Sequence, residues 1–319
     1  MTKNNMIKKI FLTAVIICYC VSSAAQDFLS PSGTYLYVQR DTCDLFLDIY
    51  YPAKGSKNNL NGKEKPTVLF MFGGGFITGE RDNESYNKWF KQLTDNGYGV
   101  ISIDYRLGLK GSNKVGIAQT NLLDKAIHMA VEDLFSATNF IIDNAAELKI
   151  NPNNIVVSGS SAGAISVIQA EYEIANQTSW AQVLPKEFNY AGVMSFAGAI
   201  FSREGKVDFK TAPCPTMMLH GTADSIVPYK QIAVLNLGFF GAGKLVDRYK
   251  KYDLNYNMYH FIDYGHEIAG SMDTTLDLQI KFLENNVIQG KKRIVEAWIS
   301  DPDIYKGSRL KSRKDIYGN

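Results

Sequence analysis

Residues 155 to 166 read IVVSGSSAGAIS. Three β-branched residues, Ile155, Val156 and Val157, lead into Gly159-Ser160-Ser161-Ala162-Gly163, and the residues beyond can continue as a buried helix. The pattern is strand, sharp turn, helix, and its middle fits G-x-S-x-G with Ser161 at the apex. So tight a turn leaves no room for a β-carbon two residues to either side of the serine, which accounts for both glycines. The hydroxyl then stands above a helix N-terminus, where backbone N–H groups, beginning with that of Ala162, can face a developing negative oxygen. Short Gly/Ser patterns also occur as plain connecting turns, so the weight of the motif rests on its surroundings.

Serine is a weak nucleophile at neutral pH and needs a base, which in turn needs an orienting acid. The chain has four histidines. His128 falls within a long helical pattern and His260 within a strand, as packing or solvent-facing residues. His220 ends a strand just before Gly221 and precedes the nominated acid. His266 lies in the loop Asp263-Tyr264-Gly265-His266-Glu267, after the last strand, where a base reaches across to Ser161. Asp224, in HGTADSIVP, is the nominated acid, with a turn or helix-cap aspartate as the plain alternative and Asp263 as the fallback.

Outward from the elbow, Thr34 to Arg40 and Leu45 to Tyr51 are aromatic and β-branched runs that predict a hairpin. Residues 53 to 66 form a polar loop. Thr67 to Phe72 is a continuous apolar run, as in a strand covered on both faces, and Gly73-Gly74-Gly75 follows directly. Tyr86 to Asn96 has helical spacing with a stop at Gly97. Val100 to Tyr105 is the next strand, 106 to 117 a glycine-rich loop, and Ala118 to Ala146 a long helix. After the elbow helix, 176 to 189 is irregular; 193 to 196, 216 to 220 and 258 to 262 are strands. A helix is expected from Pro228, which suits a first helical position, with Gly238 to Gly243 as a helix stop and 271 to 287 as the closing helix. Alternating strands and helices imply an α/β fold: a mostly parallel central sheet with helices on both faces and an antiparallel N-terminal hairpin. Asp104 and Arg106, at a strand end, read as a structural pair.

Residues 1 to 25 have a lysine-bearing start, the apolar run Ile10 to Val21 and small residues before Gln26, the pattern of a secretory signal peptide. Residues 26 to 305 are then one domain, and 306 to 319 a polar basic tail, with a secreted or periplasmic location and no membrane association once the signal is cleaved. Setting the segment aside lowers the formal charge from +2 to −1, so nothing points to nucleic acid. Cys43 and Cys214 remain in an oxidising compartment, but on strands near opposite ends of the sheet, whereas a bridge needs Cα atoms within about 7 Å. They are expected as unpaired, mostly buried thiols. FGGGF lacks the nucleotide-loop spacings, and no His/Cys/Asp/Glu set has zinc spacing, so neither cofactor nor metal is expected.

The serial order Ser161, Asp224, His266 matches that of the α/β-hydrolases. With DIYYP (48 to 52), FGGGF (72 to 76), DYRL (104 to 107), GSSAG, HGTADSIVP and YGH, the chain resembles secreted bacterial α/β-hydrolases of the carboxylesterase type, similar to hormone-sensitive-lipase-like, feruloyl and acetyl esterases. The resemblance implies an oxyanion hole from the N–H groups of Gly74, Gly75 and Ala162. It also shows two departures: Phe72 where the family has histidine before the glycines, and Ser160 where many relatives carry an acid. It implies a serine ester hydrolase working through an acyl-enzyme on short-chain or carbohydrate-linked (acetyl or feruloyl) esters. A single-domain serine peptidase and a non-catalytic hydrolase-fold binding protein are the alternatives. Phe76, Ile77, Thr78, the 107 to 117 loop and the segment around Trp180 are expected to shape the pocket, with no large cap after residue 190.

Overall fold

The computed structural model describes residues 29–112 and 120–300; the segments read as signal peptide and basic tail lie outside them. The strands are β1 (Gly33–Arg40), β2 (Cys43–Tyr50), the short pair β3 (Asn59–Leu60) and β4 (Lys63–Glu64), β5 (Thr67–Met71), β6 (Gly99–Ile103), β7 (Ile155–Ser160), β8 (Gly192–Phe196), β9 (Ala199–Ser202), β10 (Thr216–Gly221), β11 (Gln231–Val234), β12 (Leu237–Gly241), β13 (Tyr256–Phe261) and β14 (Val295–Ile299). The helices are α1 (Asn87–Asp95), α2 (Thr120–Asp143), α3 (Ala145–Leu148), α4 (Ala162–Ala175), α5 (Ala242–Lys251) and α6 (Leu276–Phe282). Among these no helix is long and apolar enough to cross a membrane.

Nine strands make the central sheet in the order β1-β2-β6-β5-β7-β8-β10-β13-β14. β1 and β2 form the predicted antiparallel hairpin, β2 joins β6 antiparallel, and from β6 onward every pair is parallel. The continuous apolar runs of β6 and β7 are buried at every position, as a strand covered on both faces requires. On α1, Trp89, Phe90 and Leu93 face the core; on α2 the buried stripe runs from Ala126 to Ile141 at helical spacing. α4 is buried nearly all round, so it is an interior helix rather than an amphipathic one.

The chain leaves β5 toward β6 on one side and returns to place β7 on the other, so strand order reverses between β5 and β7. Clefts in open α/β sheets form at such a switch point, outside the carboxyl ends of the strands. Met71 pairs with Gly159, which puts the glycine run after β5 beside the turn after β7.

Charged residues tie the near edge of the sheet to α2. Asp133, fully buried on α2, takes the Arg106 backbone N–H at 2.8 Å and the guanidinium groups of Arg106 and Arg40. Arg81 lies between Asp48 at 3.0 Å and Asp104 at 2.8 Å. Asp104 and Arg106 are therefore not a pair with each other; each belongs to a separate network. Burial pushes the Asp104 carboxyl up even though Arg81 opposes the shift.

The region after Pro228 corrects the sequence reading. There is no helix there: β11 and β12 form a hairpin through Leu235-Asn236, and β12 pairs with β9 in a separate three-stranded sheet. The carbonyls of Tyr229 and Lys230, which a helix would use internally, accept from the N–H groups of Gly243 and Gly241. A β-carbon on Gly241 would lie 1.7 Å from the Pro228 oxygen, so GFFGAG is a strand running into the start of α5, not a helix stop. The closing helix is shorter than expected, α6 followed by a π-helical turn over Leu283–Ile288, and β14 adds a parallel strand the reading missed. Cys43 and Cys214 are both free, but Cys43 is exposed rather than buried.

Arg81→Met should lower the unfolding free energy by about 3 kcal/mol in urea titrations, because it leaves two carboxylates, one of them fully buried, without their cation.

Candidate active site

Ser161 sits at the carboxyl end of β7 with φ 51° and ψ −114°, a backbone region costly for any residue with a side chain. The turn is held by sterics on both sides. A β-carbon on Gly163 would fall 2.0 Å from the Met71 oxygen, and one on Gly159 would fall 2.3 Å from the Gly163 carbonyl. The Ser161 N–H donates to the Phe196 oxygen at 2.9 Å, and Ala162 opens α4 directly behind the hydroxyl.

Ser161, His266 and Asp224 come together in one hydrogen-bonded line. Ser161 Oγ is 2.7 Å from His266 Nε2, and His266 Nδ1 is 2.7 Å from Asp224 Oδ2. With Nδ1–H donating to the carboxylate, Nε2 is left to accept from the serine hydroxyl. The loops carrying His266 and Asp224 are fastened together: Ala223 N–H donates to Tyr264 O, Thr222 N–H to Phe261 O, and Asp263 N–H to Thr222 Oγ1. Asp263, the fallback acid, is itself exposed and spends its backbone on that clasp.

Asp224 is buried, and its carboxylate is enclosed by donors. Oδ1 accepts from Ile226 and Val227 N–H at 2.9 and 3.1 Å, and Oδ2 accepts from His266 and, at 3.2 Å, from His220 Nε2. Burial alone would raise its proton affinity, but the hydrogen bonds from His220 and His266 outweigh it and hold the carboxyl well below the usual aspartate range. His220 is the site neighbour that sequence order had set aside. The other two histidines stand apart: His128 is exposed and stacks on Trp180 at 4.1 Å, while His260 contacts Tyr229 Oη at 2.7 Å and stacks on Trp298.

The glycine run is anchored by aromatic residues. Phe72 is buried and stacks on Tyr105 at 4.4 Å between centroids; Tyr105 Oη donates to the Phe72 oxygen at 2.8 Å, and Gly73 N–H donates to Tyr86 Oη at 3.2 Å. Gly74 O accepts from Ile77 and Thr78 N–H, closing the loop into a tight turn. Ser160, the second departure, donates to the Ala269 oxygen at 2.7 Å and so links the elbow to the turn that bears His266.

Ser161 stands between two cavities. One, of about 650 Å³, is apolar and shares Gly75 and Ala162 with Ser161; Phe76, Leu109, Ile165, Phe201 and the hairpin residues Ile232 to Phe239 form much of its wall. The other, of about 400 Å³, has a mixed lining, more polar than the first, and contains Gly73, Gly74, His266, Asn83, Ser85 and Tyr86. Of the residues expected to shape a pocket, Phe76 and Leu109 line the first cavity and Thr78 the second. Trp180 lines neither, because it packs on His128, and Ile77 lines neither. Residues 113 to 117 of the expected loop lie outside the described residues. The reading also missed the small sheet built from β9 and the β11–β12 hairpin, which walls the apolar cavity; the alternation in Gln231 to Phe240 was its available signal. Among the described residues no group of three His, Cys, Asp or Glu side chains is placed to share a metal ion.

Residues 47–199 match the protein-family model described as BD-FAE. The chain is similar to carboxylesterase 1C of Rattus norvegicus, 29% identical over 46% of this chain and 25% of that protein. It is also similar to the neuroligin-like protein glit-1 of Caenorhabditis elegans, 25% identical over 76% of this chain and 30% of that protein. A third match is to the non-reducing polyketide synthase ausA of Emericella nidulans, 33% identical over 46% of this chain and 6% of the synthase. The chain thus spans less than a third of the length of each of these relatives. Among solved structures, esterase Est2 of Thermogutta terrifontis in butyrate-bound form superposes with a TM-score of 0.56 at 20% identity, covering 81% of this chain and 95% of that one.

Because the folded-state proton affinity of Asp224 is depressed, its ionised form stabilises the fold above the ordinary aspartate value of about 4, and that contribution is lost as the pH falls. The gap in urea midpoint between the parent and Asp224→Asn is expected to be widest near neutral pH and to close progressively below about pH 4; a gap independent of pH would contradict the assignment. Ser161→Gly should unfold at higher urea than Ser161→Ala, by about 1 kcal/mol, since only glycine relaxes the backbone at that position. Sheet order, switch point and elbow together give the chain the α/β-hydrolase fold, on which it superposes with the T. terrifontis esterase Est2.

Proposed function

We propose that the chain is a serine carboxylic ester hydrolase acting through an acyl-enzyme. The observation that carries this reading is the line of Ser161, His266 and Asp224 at 2.7 Å spacings, opening onto an apolar cavity on one side and a more polar one on the other. His266 takes the Ser161 proton as Oγ attacks the ester carbonyl. The carbonyl oxygen turns toward the N–H groups of Gly74, Gly75 and Ala162, which lower the barrier by favouring the charge that develops there. His266 then returns the proton to the leaving alcohol, and water repeats the sequence on the acyl-enzyme.

The side on which the alcohol leaves follows from that proton. His266 lines the polar cavity and not the apolar one, so the alcohol departs through the cleft with Asn83, Ser85 and Tyr86. The acyl group occupies the apolar cavity. Polar groups suit a hydroxyl-bearing alcohol such as a sugar, and the apolar volume suits a short-chain or aromatic acyl group such as feruloyl better than acetyl. The pattern of residues 1 to 25 supports export, to the periplasm or beyond, where such esters of carbohydrate would be met.

The test is hydrolysis of p-nitrophenyl esters of rising acyl length, together with methyl ferulate and a feruloylated sugar. Turnover by the parent, a fall of about 10⁴-fold or more in kcat for Ser161→Ala, and preference for the sugar ester over the methyl ester are the expected results. Equal rates in the two proteins would remove Ser161 from the chemistry, and turnover of peptides in place of esters would favour the peptidase alternative. Est2 of T. terrifontis is described as phosphorylated by paraoxon. By the same reading, paraoxon should add one diethylphosphoryl group to the parent and none to Ser161→Ala, as read by intact mass.

A further inference from the structure

His220 lies at the carboxyl end of β10 and is fully buried, yet it is absent from the chemistry above. Its Nε2 is 3.2 Å from Asp224 Oδ2 and 3.2 Å from the Val227 oxygen. Both neighbours are acceptors, so Nε2 must carry a proton shared between them. Nδ1 is buried with no hydrogen-bond partner, an unusual cost for a side chain that served only to fill space. An apolar side chain packed there would carry no such cost.

We infer that His220 is a positioning residue for the acid, and through it for His266. This rests on the esterase reading of Ser161, His266 and Asp224. Two backbone N–H groups hold Oδ1, while Oδ2 is shared by two imidazoles, one from the carboxyl end of β10 and one from the turn after β13. The carboxylate then has a fixed rotation, with Oδ2 aimed at His266 Nδ1. The second donor on Oδ2 also lessens the charge that Oδ2 presents to His266 and so limits how strongly the acid retains the imidazolium. An acid facing His266 alone would turn more freely and hold that cation more tightly, which slows return of the proton to the leaving alcohol. The titratable groups facing His220 are few: Asp224 in contact, His266 beyond it, the Tyr229 ring edge-on at 5.7 Å, and His260, its register partner on β13.

His220→Gln keeps a donor near the position of Nε2; His220→Phe keeps a planar ring, slightly larger, and removes the donor. With an ester that the parent hydrolyses, His220→Gln should stay within about threefold of the parent, while His220→Phe should lose about tenfold in kcat, with KM within about twofold. The acid limb of kcat/KM should move to higher pH in His220→Phe only. Equal losses in both variants, a change confined to KM, or an unmoved pH profile would assign His220 to packing and overturn the inference. Two further readouts cover a variant that does not fold and an esterase reading that fails. In ¹⁵N spectra of the parent, His220 should show a protonated Nε2 and a bare Nδ1, and the opposite tautomer would refute the contact. The rate at which a fluorophosphonate labels Ser161 should fall in His220→Phe relative to His220→Gln even if no ester is turned over; equal labelling rates would refute the role.

Discussion

The constraint on which the site depends is contact between two stretches of backbone at the switch point. At Gly163 the first turn of α4 lies against the carbonyls of Met71 and Phe72, so closely that no side chain fits. That contact sets the distance between the elbow and the glycine run. It also forces the chain to reverse within one residue, and Ser161 takes a left-handed backbone as a result. The cost is local, and the packing of a fully buried strand and a nearly fully buried helix holds it in place. Reactive geometry here follows from dense packing at a point where the sheet changes direction.

A second theme is that the polar groups of the site come from different strand ends and are joined by short bonds between loops. Asp224 follows β10, His266 follows β13, Ser161 follows β7 and the glycine run follows β5. Each loop is tied to a neighbour: Ser160 to the turn of His266, Thr222 and Ala223 to the base loop, Tyr86 and Tyr105 to the glycine run. The aromatic pair Phe72 and Tyr105 fixes the glycine run by ring stacking and by the hydrogen bond from Tyr105 Oη to the Phe72 oxygen.

Much of this was legible from residues alone, for definite reasons. The elbow, the glycine run and the loops of Asp224 and His266 announce themselves because tight turns and polar residues directly after apolar strands leave strong local marks. The buried strands are equally plain as unbroken apolar runs. What failed was local reading of Pro228: proline at a potential helix start is a weak signal, and the partner that decides the matter, Gly241, lies thirteen positions on. The role of Arg81 between Asp48 and Asp104 was hidden in the same way, as was the approach of His220 to Asp224. These contacts are made across strands, and no spacing rule along the chain records them. Strand β14 is a different case, since Val295-Glu296-Ala297-Trp298-Ile299 alternates visibly in the sequence and in its burial.

The β11–β12 hairpin is set apart from this frame. It hydrogen-bonds to β9 and not to the nine-stranded sheet, its tip residue Leu235 is 95% exposed, and it walls the apolar cavity without touching the hydrogen-bonded line of Ser161, His266 and Asp224. Length and composition at Leu235-Asn236 can therefore drift with little penalty to folding, while the shape offered to a bound molecule changes directly. The wall of the apolar cavity is thus mechanically separable from the frame that holds Ser161, His266 and Asp224, and a change at one turn reshapes the first without disturbing the second.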